Sequence, residues 1–202
     1  MTIAREAHIV DLVDPAGTSV GEATVGAAHT APGQLHRAFS VFLRDPVNGR
    51  VLLQQRAAVK TRFPLRWANT CCGHPLPGEG IEVAAQRRLA EELGVVGVGL
   101  TPVGIHTYRA EDPSTGLVEY EYDHVLLGDL PASARPSPDP AEVADTRWMS
   151  LSALLAGLSV DPETYAPWLV GVTTCLAEHL AQRQMAGPNA GRFDAAERSG
   201  GR

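Results

Sequence analysis

The sequence predicts a mixed α/β (α+β) fold, a sandwich of sheet and helices. Three observations carry this. Apolar runs of strand length alternate with turn signals, most plainly Leu35 to Arg44, then Asp45-Pro-Val-Asn-Gly49, then Val51 to Gln55, which read together as a hairpin. Ile81, Val83, Ala84, Leu89 and Leu93 recur near helical spacing, and Gly94, free to take a positive φ, ends the run. Strand-like and helical stretches interleave along 202 residues, a length that gives one domain with a real core.

In chain order, residues 8–14 (HIVDLVD) read as a strand and Pro15-Ala16-Gly17 as its turn, with Ser19 to Val25 a short return strand. Ala27 to Gln34 reads as a loop carrying His29. Ala57 to Pro64 is a polar, basic loop, and Arg66 to Cys72 a short strand leading to the helix. Val95 to Leu100 is a glycine-punctuated connection. Thr101 to Arg109 and Leu117 to Leu127 are strands around the turn Asp112-Pro-Ser-Thr-Gly116. Leu130 to Pro140 holds four prolines and reads as a loop. Glu142 to Met149 is a strand, Leu151 to Leu158 a short helix, and Thr164 to Met185 a helix with Pro167 in or near its first turn. Residues 1–185 are expected to form a single domain. The remainder, 186–202, lacks apolar periodicity and reads as a disordered tail.

Bulk properties exclude several classes. Hydrophobic content of 44% and charged content of 20% are ordinary for a soluble globular protein. A net charge of -6 argues against general nucleic-acid binding, and an anionic substrate then needs a local basic pocket. No apolar run approaches the ~20 residues of a membrane span. The three cysteines do not make a disulfide framework, and with no signal-peptide core in MTIAREAHIV they point to the cytoplasm.

Chemistry crowds into Asn69 to Val95, where NTCCGHP leads into PGEGIEVAAQRRLAEELGV. Arg88 and Glu92 are four apart and share a helix face, a pairing suited to a phosphate and its magnesium. Glu119 and Glu121, two apart on a strand, leave the same face, and like charges that close call for a cation between them. Taken alone, each histidine reads as a surface or hydrogen-bonded residue, Cys72 as a small buried apolar residue, and Trp168 as core. Gly73, Glu79, Arg87, Glu91, Glu92 and Gly94 stand at the Gly, Glu, Arg, Glu, Glu and Gly of the Nudix box, with Arg88 where that box has a glutamate. Together with His29, LHRAFS, TCCGHP and VEYEYDH, this pattern resembles the type 1 isopentenyl-diphosphate isomerases of the Nudix superfamily, from about Val20 to Leu180.

The resemblance implies a mixed β-sheet between helices. It implies one divalent metal on His29, His36, His74, Glu119 and Glu121; imidazole and carboxylate ligands suit magnesium, manganese or zinc. It implies Cys72 and Glu121 as the acid–base pair, Arg56, Lys60 and Arg88 as the diphosphate clamp, and Glu92 as holder of a second magnesium on the diphosphate. Trp168 would face a carbocation, and Tyr108 would hydrogen-bond the catalytic glutamate. One departure stands out: many members have a lysine four residues before the first metal histidine, and here that position is Val25. The activity expected is interconversion of isopentenyl and dimethylallyl diphosphates. The competing readings are a Nudix diphosphohydrolase, a family member acting on a larger prenyl diphosphate, and a non-catalytic prenyl-diphosphate-binding module. The expected partner is the small-molecule substrate, with no nucleic acid and no membrane; a monomer and a homodimer are equally compatible with the sequence.

Overall fold

A computed structural model describes residues 5–186, so the expected tail lies outside the described residues apart from its first position. Nine strands form one sheet: β1 (Ile9–Val13), β2 (Ser19–Thr24), β3 (His36–Arg44), β4 (Val51–Arg56), β5 (Trp67–Ala68), β6 (Cys71–Gly73), β7 (Leu100–Glu111), β8 (Val118–Asp129) and β9 (Val143–Met149). The helices are α1 (Val25–His29), α2 (Ile81–Leu93), α3 (Leu151–Val160) and α4 (Leu169–Ala186), with a 3₁₀ turn at Pro162–Thr164.

β3 is the organising strand. It pairs parallel with β8 along its whole length and antiparallel with β1, β4 and β6. Its apolar side chains alternate between two cores, as the two-residue period of a strand requires. Phe39, Val41 and Leu43 join Ala84, Ala85, Leu89 and Leu93 of α2 on one face. Phe42 joins Val125 and Leu127 of β8 and Leu154, Leu169, Val172 and Leu176 of α3 and α4 on the other. The expected mixed sheet between helices is the observed architecture. Truncating a side chain as enclosed as Leu89 (1% exposed) removes about 2–5 kcal/mol of stability.

Three local expectations are corrected. Ala27 to Gln34 is not all loop, because α1 occupies Val25–His29 with Thr24 as its cap, the threonine hydroxyl accepting from Ala27 N. Arg66 to Cys72 is not one strand: Asn69 and Thr70 turn their side chains inward between β5 and β6, Thr70 Oγ1 accepting from Leu43 N at 2.8 Å. Helix α4 starts at Leu169, beyond Pro167, and the residues from Pro162 make the 3₁₀ turn instead. Residue 94 ends α2 as expected, with φ of 64° and its N–H on the Ala90 carbonyl.

Candidate active site

The strands deliver the histidines and carboxylates to one end of the sheet. His36 opens β3 directly opposite Glu121 of β8, His29 closes α1, and His74 follows β6. The three imidazole centroids lie 4.6, 4.8 and 5.4 Å apart. His36 Nε2 stands 3.2 Å from His74 Nε2, and His74 Nε2 stands 2.8 Å from Glu121 Oε1. Donor atoms of His29, His36, His74 and Glu121 all fall within 4.8 Å of one another. The outer nitrogens are already oriented: His29 Nδ1 lies 2.7 Å from the Val25 carbonyl and His36 Nδ1 2.8 Å from that of Gln34. Imidazoles tied back in this way, with their free nitrogens converging on a carboxylate, fit a divalent cation. Glu119 stands slightly apart. Its Oε2 is 2.8 Å from His29 Nε2 and its Oε1 accepts from Arg62 Nε at 3.0 Å.

Burial and charge set the protonation states. Burial drives His74 down to about 4, so it is a neutral imidazole, the form that ligates. Burial and Glu119 push the Glu121 carboxyl up, but hydrogen bonds from His36 and His74 outweigh them and hold it ionised. Burial opposes ionisation of Glu119 too, and the nearby His29 and Arg62 overcome it. For His29 itself, burial is outweighed by Glu119 and the net shift is upward.

Around this cluster lies a cavity of about 450 Å³ lined by Cys72, His74, Tyr108, Glu119, Glu121 and Trp168 and by the charged side chains Lys60, Arg88, Glu91 and Glu142. Burial raises the Cys72 thiol to about 12, so it is protonated at neutral pH. Its Sγ lies 3.1 Å from Asn69 Oδ1 and 3.7 Å from Ser40 Oγ. Ser40 in turn donates to buried Asp123 at 2.7 Å. Tyr108 donates its hydroxyl to Glu121 Oε2 at 2.6 Å. The Trp168 ring is 3% exposed, pinned by Nε1 to Asn69 Oδ1 at 3.1 Å, and has the Arg56 guanidinium 5.2 Å from its centroid. The ring thus already receives a cation on its face.

Among these charged side chains, the helix places Arg88 over Glu92, and Gly73 makes room for it. A Cβ at Gly73 would meet Phe39 Cζ at 2.9 Å and Arg88 Cγ at 3.2 Å. Arg88 pairs with Glu92, with Glu91 at 2.5 Å and with Glu142 at 3.4 Å. Lys60 also binds Glu142 and lies 3.8 Å from Glu92. Burial disfavours the Glu142 charge, but Lys60, Arg5 and Arg88 outweigh it and keep the carboxyl below its usual range. Glu92 is 1% exposed beneath Arg88, and it is Glu91 that lines the cavity. Arg87 holds Glu79 through two bonds of 2.9 and 3.0 Å, fastening the loop before α2. Arg56 lines the cavity and also fastens the basic loop, donating to the carbonyls of Arg62 and Phe63.

Other residues separate. Cys71 is fully buried in the α2-side core, Cys175 is half-buried on α4, and all three cysteines are free. Trp67 packs under Arg147, whose guanidinium is 3.9 Å from its ring, and Arg66 pairs with Glu163 outside the cavity. Of the two arginines that add charge near the clamp in sequence, Arg62 lines the cavity and Arg66 does not; sequence reasoning missed Asn69, Asp123 and Glu142 as members of the site. Asp123 carried the one readable signal, since it continues the same-face alternation of Glu119 and Glu121.

Residues 34–169 match the NUDIX domain. The chain is 61% identical over 163 residues to the isopentenyl-diphosphate Delta-isomerase of Nocardia farcinica, covering 81% of this chain and 91% of that one. It is 46% identical over 186 residues to the protein of the same name from Streptomyces griseus, covering 92% and 91%. Among solved structures, DR0079 from Deinococcus radiodurans superposes with a TM-score of 0.65 at 22% identity, over 83% of this chain and 99% of that one, a likeness of fold. The order of strands, the box on α2 and identities of this size over most of both chains together place the chain in the Nudix superfamily, within the isopentenyl-diphosphate Delta-isomerase family.

Proposed function

We propose that the protein interconverts isopentenyl and dimethylallyl diphosphates by protonation and deprotonation through a tertiary carbocation. The observation that carries this reading is the pairing, in one cavity, of a protonated thiol with an ionised carboxylate: Cys72 and Glu121. A thiol can give a proton to the terminal alkene carbon, which leaves positive charge on the adjacent tertiary carbon. A carboxylate can remove a proton from the carbon on the other side, which moves the double bond inward. The Trp168 face would stabilise the charge between the two transfers, and Tyr108 would hold Glu121 in position. Arg56, Lys60 and Arg88 would grip the diphosphate, arginine as a planar fork and lysine as a point charge.

A divalent cation fits the His29, His36, His74 and Glu121 donors, with Glu119 at hand. When bound, it would supply positive charge that keeps the Glu121 carboxylate ionised and the three imidazoles fixed. Magnesium, manganese and zinc all suit this donor set, and a magnesium held through Glu92 would accompany the diphosphate. Residues 1–185 act as the catalytic domain in this reading. A reducing cytoplasm suits three unpaired cysteines, and no helix among the described residues is long and apolar enough to cross a membrane.

The test is incubation of the protein and magnesium with isopentenyl diphosphate in deuterated water, followed by NMR. Deuterium-labelled dimethylallyl diphosphate without phosphate release is the expected product. Released phosphate would replace this reading with a diphosphohydrolase, and unreacted isopentenyl diphosphate would move it to a larger prenyl diphosphate or a binding module.

A further inference from the structure

The first described residues form a strap along the cavity. Arg5, Glu6, His8, Ile9 and Val10 all line it. Glu6 ties the strap to the basic loop, accepting from Thr61 Oγ1 at 3.0 Å and from Arg62 Nη1 at 3.1 and 3.2 Å. The His8 carbonyl accepts the Val25 N–H at 2.8 Å, which fixes the strap against the start of α1. Val25 itself lines the cavity with an apolar side chain, so α1 contributes no cation there.

The strap contributes one instead. Arg5 Nη1 sits 2.5 Å from Glu142 Oε1, while Lys60 and Arg88 hold Oε2 of the same carboxylate. One buried carboxylate therefore gathers three cations at the cavity wall. Arg88 also pairs with Glu91 and Glu92, whereas the closest carboxylate to both Arg5 and Lys60 is Glu142. Of the three cationic side chains, Arg5 is the most exposed, at 31% against 18% for Lys60 and 10% for Arg88. It is the one with most room to turn from Glu142 onto an incoming anion.

We propose that Arg5 is a diphosphate-binding residue, the strap's contribution to the clamp formed by Lys60 and Arg88. This rests on the reading above that the ligand is a diphosphate. The guanidinium presents paired donors that match two phosphate oxygens, and Glu142 holds it poised at the cavity wall until they arrive.

The experiment compares the full-length protein with Arg5→Met and Arg5→Lys. Inorganic pyrophosphate with magnesium is titrated calorimetrically, and KM and kcat are measured with isopentenyl diphosphate. Loss of one charge-assisted contact weakens pyrophosphate binding by ~10-fold or more in Arg5→Met, while Arg5→Lys keeps most of the affinity. KM should rise in parallel with kcat little changed, because the contact forms in ground and transition states alike. Wild-type pyrophosphate affinity in Arg5→Met overturns the proposal. So does equal loss in both variants, which would assign the effect to packing of the strap. If the wild-type protein fails to isomerise isopentenyl diphosphate, the reaction reading falls, and the pyrophosphate titration still decides the role of Arg5.

Discussion

Cys72 and Trp168 converge on one atom: the thiol and the indole N–H each lie 3.1 Å from Oδ1 of Asn69. Asn69 is fully buried, and its Nδ2 is fixed by the carbonyls of Val41 and Cys71 at 3.2 and 2.8 Å. The amide therefore sets the distance between the proposed acid and the proposed carbocation face. Asn69→Leu keeps the bulk and strands the indole N–H, at a cost on the order of 1–3 kcal/mol for that group alone. Urea unfolding should show at least that loss, and turnover should fall by more than the folded fraction does. Unchanged turnover in the folded variant would mean that the shared acceptor does not organise the chemistry.

Cys72→Ala should abolish turnover, a loss of roughly 10²-fold to 10⁴-fold if the thiol acts as a general acid or base. Calorimetric titration with pyrophosphate should remain close to wild type, because the neutral Cys72 thiol carries no charge for the anion to pair with. Wild-type turnover in the variant would remove Cys72 from the acid–base pair.

Chelation should lower the melting temperature as well as activity. The donors come from α1, β3, the residue after β6, and β8, so one ion would bind only the folded chain. At a free metal concentration about a hundred times Kd, such a site contributes about 2.7 kcal/mol. For a protein of this size that corresponds to roughly 5–10 °C. Differential scanning calorimetry with and without chelator, with metal loss confirmed by elemental analysis, checks this. An unchanged melting temperature would count against a metal on these four donors.

Acid should weaken the protein partly through Glu142. Burial resists its ionisation, but Lys60, Arg5 and Arg88 pull its folded pKa below that of an unfolded glutamate. A depressed carboxyl adds stability that is complete above the unfolded value, about 4.3, and disappears as pH falls through the folded one. Glu142→Gln should therefore be less stable than wild type at pH 7, with the difference closing below about pH 4. Thermal unfolding of both proteins across that range gives the comparison. A gap independent of pH would show that Glu142 acts by shape rather than charge.

The parts of this molecule that were legible in the sequence are those governed by a local period. The apolar run from Leu35 to Arg44 marks a strand and the stripe from Ile81 to Leu93 a helix, and both elements are present with nearly the expected bounds, although Val83 of the stripe faces solvent at 61% exposed. Same-face placement of Glu119 and Glu121 follows from the same two-residue rule. Helix α1 was not legible because its five residues are too few to display a helical period. Asn69 was not legible because its meaning depends on Trp168, which is 99 positions away. Glu142 follows a proline-rich stretch with no pattern, and only the fold shows that three cations from three segments meet on it. The residues of the resemblance were found through a motif, and the polar groups that hold those residues in place lie outside any motif.

His36 and Glu121 are ladder partners on parallel strands, within a pairing that runs unbroken to Arg44 and Asp129. The site is consequently sensitive to chain length in one place and indifferent to it in another. Adding or deleting a residue just after the start of β3 would turn His36 to the opposite face of the sheet. The same change at residues 113–116, the exposed tip joining β7 and β8, would leave the ladder in step. Insertions and deletions among natural relatives should accumulate at that tip and be absent from the first turns of pairing beside His36.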